Sequence, residues 1–188
     1  MLLPVRTQAP AETPVSLEEA RQHLIVSGFT DDDAQITRFV QAATDHLERT
    51  LNMSLVTQTW KQSFCSFDSF LRLRNGPVAS VVSVKYFDAD NEEQTVPTAS
   101  YKTLDYTCGT SVALTYGNSW PATVSRPDAV TIEYTAGVPA DEVPASLKAA
   151  ILMHVGLMYS YRGDPEGPRI DSNPAYEALI WPFRRPKV

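Results

Sequence analysis

"YGNSWPATVSRPDAVTIEYTAGVPADEVPASLKAA", residues 116–150, is where the chain changes from one kind of structure to another. Trp120-Pro121 turns the backbone, because proline fixes φ and withholds a donor. Val130, Ile132 and Tyr134 then alternate with Thr131 and Glu133, the period of a half-buried strand. Gly137 and Pro139 end that strand, and Pro144 suits the first turn of a helix. From there "ASLKAAILMHVGLMYSYRG" runs to Arg162, with Gly163 placed as its C′ residue. Leu147, Ala150, Ile151, Val155 and Met158 form one stripe, and Leu152, Leu157 and Tyr159 extend the apolar surface beyond it. A helix apolar on nearly every side needs neighbours on several sides. Those neighbours must include two helices upstream or another copy of the chain.

The upstream helices are legible. In "PVSLEEARQHLIVSG", Ser16 and Glu19 have capping-box spacing. Leu17, Ala20 and Leu24 mark one face, and Gly28 is the expected stop. In "TDDDAQITRFVQAATDHLERTLNMSL", Thr30 and the run Asp31–Asp33 stand where free N–H groups and the helix dipole favour negative charge. Ile36, Phe39, Val40, Ala43, Leu47 and Leu51 recur at helical spacing, opposite Arg38, Gln41, Asp45, Glu48 and Arg49. Residues 1–14, rich in Pro, Thr and Ala, read as an extended arm.

Near residue 55 the period falls to two. Val56, Trp60 and Phe64 alternate with Thr57, Lys61 and Ser63, and Leu71 and Leu73 alternate with Arg72 and Arg74 before an Asn-Gly-Pro turn. "VASVVSVKYF", "SYKTLDY", "SVALTY" and "AVTIEYTAG" complete a series of short strands. The fold class is therefore α+β. About four helices from the two flanks (15–54 and 139–183) form a helical core, and residues 55–138 form an inserted antiparallel sandwich or barrel-like module. Asn173-Pro174 opens a last short helix through Trp181, before a tail at 184–188.

Composition restricts function. Of 188 residues, 43% are hydrophobic and 20% charged, which describes an ordinary folded chain. A net charge of −6 argues against a general nucleic-acid binder, which carries a basic patch. No apolar run reaches the roughly 18 residues that suggest a bilayer span, and the prolines of "MLLPVRTQAP" do not suit a secretory leader. Cys65 and Cys108 stand far apart and read as two buried free thiols of a reducing compartment.

The search for chemistry ends without an enzyme. His23, His46 and His154 are scattered, with no HExxH and no Cys/His cluster, so neither a metal nor a cofactor is expected. His46 follows Asp45, but adjacent helical residues point apart and make no dyad. There is no G-x-S-x-G elbow and no phosphate-cradling glycine loop. "DADNEE", 88–93, resembles half a calcium loop but lacks its glycine and distal glutamate; it reads as a hairpin turn. Trp60, Trp120 and the tyrosines leave open a sugar-stacking platform, so a carbohydrate-binding or adhesin-like β module of a tail structure is the alternative function.

Taken in order, "SLEEARQHL", the acidic-capped helix, "YGNSWP", "AVTIEYTAGVP", "VPASLKAAILMHVGLMYSYRG" and the proline-punctuated end carry a resemblance over about residues 14–183. The chain resembles the head–tail adaptor (first connector) proteins of long-tailed bacteriophages and gene transfer agents, in the subfamily with a β insertion. The resemblance implies a structural virion protein at the head–tail neck, made in the host cytoplasm and free of catalysis. It implies a homo-oligomeric ring of about twelve copies around a DNA channel. It implies portal protein on one side and a further connector, stopper or tail terminator on the other. On that reading Trp181, Phe183, Arg184, Arg185 and Lys187 dock the portal, and Leu147, Ile151, His154, Val155 and Met158 face the ring neighbour. The acidic balance suits a channel through which DNA passes without being held.

Overall fold

The strands and the helices fall into separate parts of the chain. A computed structural model describes residues 2–106, 109–162, 164 and 167–184. It divides into two units: Thr57–Val138 together with the N-terminal residues through Ala11, and Glu12–Val56 together with the residues from Pro139 onward.

The first unit holds β1 (Val5–Gln8), β2 (Gln58–Phe64), β3 (Leu71–Leu73), β4 (Val78–Phe87), β5 (Glu93–Thr95), β6 (Tyr101–Tyr106), β7 (Gly109–Leu114) and β8 (Val130–Ala136). They make two antiparallel sheets, ordered β1-β2-β8-β4-β5 and β3-β7-β6. Strand β8 is central because its alternation is strict: Val130, Ile132, Tyr134 and Ala136 are buried, with half-buried residues between them. They join Phe64, Leu71, Leu73, Val84 and Val112 in one core drawn from both sheets. The barrel-like expectation is corrected, because neither sheet closes on itself among the described residues. The N-terminal arm also differs from a simple extension. Residues 5–8 pair with β2 as an edge strand, although none of their side chains is buried.

A buried amide joins the two sheets. Gln62, on β2, donates from Nε2 to the Arg72 carbonyl at 3.0 Å and accepts from the Arg74 N–H at 3.0 Å. The Tyr134 hydroxyl donates to the Arg74 carbonyl at 2.7 Å. Backbone groups beside β3 are thereby satisfied inside an apolar core, where an unpaired polar group is costly. Sequence alternation puts Trp60 inward on β2, yet Gln58, Gln62 and Phe64 are its buried residues and Trp60 is half-buried.

The second unit holds α1 (Leu17–Leu24), α2 (Asp33–Leu51), α3 (Ala145–Ser160) and α4 (Pro174–Ile180). The capping box forms: Glu19 Oε2 accepts from the Ser16 N–H at 2.7 Å, and Ser16 Oγ accepts from the Glu19 N–H at 3.2 Å. Helix α1 stops earlier than Gly28. Ile25 takes the left-handed C-cap conformation at φ 60°, and its N–H donates to the carbonyls of Arg21 and Gln22. The acidic run also acts differently from a cap. Asp32 makes no side-chain cap; it accepts from the Tyr159 hydroxyl at 2.7 Å and from Arg162 at 2.9 Å. Asp33 receives a two-pronged contact from Arg21, with Nε to Oδ1 at 2.7 Å. These bonds tie α1 and α3 to the start of α2.

Ile36, Val40, Ala43, Leu47 and Leu51 of α2 are buried, as are Leu147, Ala150, Ile151 and Val155 of α3. Helix α4 opens as its sequence predicts, with Asn173 Oδ1 accepting from Ala175 N–H and Pro174 in the first turn. It ends at Ile180, and Trp181–Phe183 continue as one 3₁₀ turn. Gly163, the expected stop of α3, lies outside the described residues; the helix closes at Ser160 with Tyr161 as its cap.

Replacing Gln62 with Leu leaves the Arg74 N–H and Arg72 carbonyl without their buried partner, so the protein loses about 1–3 kcal/mol. Urea unfolding followed by tryptophan fluorescence checks this, and an unchanged midpoint would contradict it.

Candidate functional site

The titratable and cysteine side chains singled out in the sequence fall at separate places in the structure, with one meeting between histidines. Among the described residues, no group of three His, Cys, Asp or Glu side chains could hold a metal ion. Asp88, in the calcium-like turn, is occupied by its own loop. Its carboxylate accepts from the N–H groups of Asp90 and Glu92 at 3.0 Å and from Gln94 at 2.9 Å, which holds it below the usual carboxylate range. The expectation of buried thiols is corrected for Cys65, which is free but exposed; Cys108 lies outside the described residues.

Two histidines do meet, through residues distant in sequence. His46 on α2 contacts Asp171 at 3.1 Å through Nε2, and its ring meets His154 of α3 edge-on at 5.0 Å. Tyr176 of α4 lies 6.5 Å from the first ring and 6.3 Å from the second. His154 Nδ1 and the Tyr176 hydroxyl are buried with no hydrogen-bond partner among the described residues. Burial, aided by the charge of His46, lowers the His154 pKa to about 4; burial first, and Asp171 next, pushes Tyr176 up to about 12. Both groups are therefore neutral at pH 7. The three rings pack α2, α3 and α4 against one another.

The expected ring-facing stripe divides in two. Leu147, Ile151 and Val155 are fully buried in the chain's own helical unit, so they have no surface left for a second copy. Their stripe faces inward because it is the one that α1, α2 and α4 cover. His154 and Met158 are half-buried instead. With Leu157, Tyr161, Pro168 and Ile170 they line a cleft of about 300 Å³.

Of the tail residues, Trp181 is 68% exposed, on the 3₁₀ turn that follows α4. Phe183 is half-buried. Arg184 pairs with Glu177 at 2.7 Å and sits 5.8 Å from the Trp181 ring centre. Arg185 and Lys187 lie outside the described residues.

Three aromatic residues of the β unit, Phe67, Phe70 and Trp120, line one cleft of about 590 Å³. Phe67 and Trp120 stack in parallel, 4.4 Å apart, and the Trp120 indole N–H donates to the Asp68 carbonyl at 3.0 Å. Phe70 and Tyr106 meet edge-on at 6.2 Å. Trp60 does not line this cleft. The stack covers one face of each ring and the indole donor is satisfied internally, so Trp120 acts first as the anchor of its own Pro-rich loop.

Sequence reading missed the turn between α1 and α2. Ile25 is 90% exposed and Phe29 48% exposed, although both are large and apolar. A β-branched residue in the left-handed region is a conformational outlier as well. The signal available was the apolar pair Ile25-Val26 directly after Leu24, the last periodic position; attention to the glycine downstream concealed it.

No protein-family model matches the chain, and no curated protein matches its sequence. Solved structures do share its fold. A chain in the neck of an empty gene transfer agent particle, computed with C6 symmetry, is 21% identical with a TM-score of 0.82; the match covers 100% of this chain and 97% of that one. A chain in the virion of the native gene transfer agent particle is 22% identical at a TM-score of 0.80, with the same two coverages. One in the native neck computed with C12 symmetry is 22% identical at 0.78, again over 100% and 97%. The chain therefore shares its fold, over its whole given length, with chains of gene transfer agent particles.

Two outcomes follow from the geometry. His154 has a lower pKa folded than unfolded, so the unfolded chain takes the proton more readily. Stability consequently falls as pH drops from about 6.5 towards 4, and His154→Gln flattens that fall in thermal melts across this window. Separately, Ile25→Gly relieves the left-handed strain and raises stability by roughly 0.5–1 kcal/mol in urea unfolding.

Proposed function

We propose that this chain is a structural virion protein of a head–tail neck. The observation that carries the reading is coverage: the match to a neck chain runs over the whole of this chain and 97% of that one. A likeness confined to one unit would support only a shared module. Both units, in the same order and on one chain, support a shared place in a particle.

In this role the chain forms a homo-oligomeric ring around the DNA channel, with portal protein on one side and the next connector, stopper or tail terminator on the other. The C12 symmetry of a similar neck supports a ring of about twelve copies. The helical unit, residues 12–56 and 139 onward, is the connector core, and the inserted β unit is the accessory part. The net charge of −6 supports passage of DNA without retention, since a basic lining would hold the phosphates. The protein is made in the host cytoplasm, needs no cofactor and catalyses nothing.

The tail carries portal docking. Trp181 offers a large exposed anchor, Phe183 stands beside it, and Arg184 with Arg185 and Lys187 supplies positive charge for acidic partners. Residues 181–184 add no fully buried side chain to the helical unit, so their removal should leave it folded. A chain truncated after Ile180 is expected to keep its circular dichroism spectrum and to lose binding to its cognate portal protein in pull-down. Retained binding would remove the tail from the docking site.

A further inference from the structure

The helical unit carries an apolar projection and an apolar recess that cannot meet within one chain. The projection is the turn after α1, where Ile25 is 90% exposed and Phe29 48%. Ile25 occupies the position where a helix most often places glycine, at φ 60°. A chain selected only to fold gains nothing from a strained, β-branched, solvent-facing side chain there, and contact with a partner gives it a use. The recess is the cleft of about 300 Å³ on α3, walled by Leu157, Met158, Tyr161, Pro168 and Ile170.

Helix α3 stands between them. The His23 ring, two residues before Ile25, packs at Gly156, where an added Cβ would lie 3.4 Å from its Nε2. At 3.6 residues per turn, His154, Leu157, Met158 and Tyr161 centre roughly 150° around the helix from Gly156. Projection and recess therefore occupy nearly opposite sides of one helix. Complementary patches on opposite sides give a head-to-tail contact, the kind that closes into rings. The recess rim carries one basic group, Arg169, and two acidic ones, Asp164 and Asp171, of which Asp171 is engaged by His46. Asp31 lies two residues beyond Phe29, and Arg169 borders the recess. Among the described residues neither has an ion-pair partner.

The geometry points to a heterologous contact in which the Ile25–Phe29 turn of one protomer seats in the α3 cleft of the next, with Asp31 facing the neighbour's Arg169. This inference rests on the ring reading above and names the surfaces that build the ring.

Ile25→Asp tests it, because aspartate tolerates the left-handed region and the side chain is already in water; the fold should survive. Native mass spectrometry and negative-stain microscopy of the purified chain should show rings for the wild type. Ile25→Asp should weaken association by about 30-fold with no loss in melting temperature. Asp31→Arg should also weaken it, and Asp31→Arg with Arg169→Asp should restore it. Oxidised Ile25→Cys/Pro168→Cys protein, in a Cys65→Ser/Cys108→Ser background, should run as a covalent ladder of multimers. Rings that persist in Ile25→Asp would overturn this contact and leave the ring reading intact. A wild type that stays monomeric, together with a double-cysteine protein that gives no ladder, would overturn both.

Discussion

The helical unit depends on burying α3. This helix has no polar face: between Ala145 and Ser160 its only charged side chain is Lys148. One such helix in water is unstable, and one helical neighbour could not cover it. Leu147, Ala150, Ile151 and Val155 are all inaccessible to solvent, and each large aliphatic side chain buried contributes about 1.5–3 kcal/mol. Three other helices are needed for that coverage, and they arrive from both ends of the sequence. The β unit can then lie between them in sequence without interrupting the helical core.

Directional bonds fix how the helices around α3 are set. Asp32 receives Tyr159 and Arg162 from the end of α3, and Asp33 receives Arg21 from α1. The hydrogen bond from Tyr159, and then the one from Arg162, holds Asp32 below the usual carboxylate range. These groups are solvent-accessible, so each pair alone is worth little. Their effect is on register: two adjacent carboxylates at the start of α2 accept from two different helices. The half-buried His46 and His154 rings and the buried Tyr176 ring play the matching part among α2, α3 and α4, by shape more than by hydrogen bonding.

Periodicity made most elements legible. The alternation of β8, the stripe of α2 and the capping box at Ser16 each reflect one local rule, and each appears in the structure as read. What escaped the sequence depends on partners far along the chain. Asp31–Asp33 looked like a cap because capping is local, whereas Arg21, Tyr159 and Arg162 are brought near only by folding. Leu147, Ile151 and Val155 looked available to a second copy because a sequence shows that a helix is apolar without showing which side its own chain covers. Gly28 concealed Ile25, since glycine is the ordinary left-handed cap and isoleucine the exception. Gln62 ran against the alternation because a buried amide is justified only by the backbone groups of another strand.

Function follows the same division between local and distant signals. The sequence shows no local motif for catalysis or metal binding, and among the described residues no three His, Cys, Asp or Glu side chains come together as metal ligands. Apolar groups stand at the surface at the α1–α2 turn, in the α3 cleft and at Trp181, the kind of surface that marks contact with another molecule. The direct measurement is electron cryomicroscopy of particles assembled with this chain. The account predicts a ring of density fitting its helical and β units at the neck, between head and tail. Particles with a complete neck from which this chain is absent, or which carry it only at the tail tip, would contradict it.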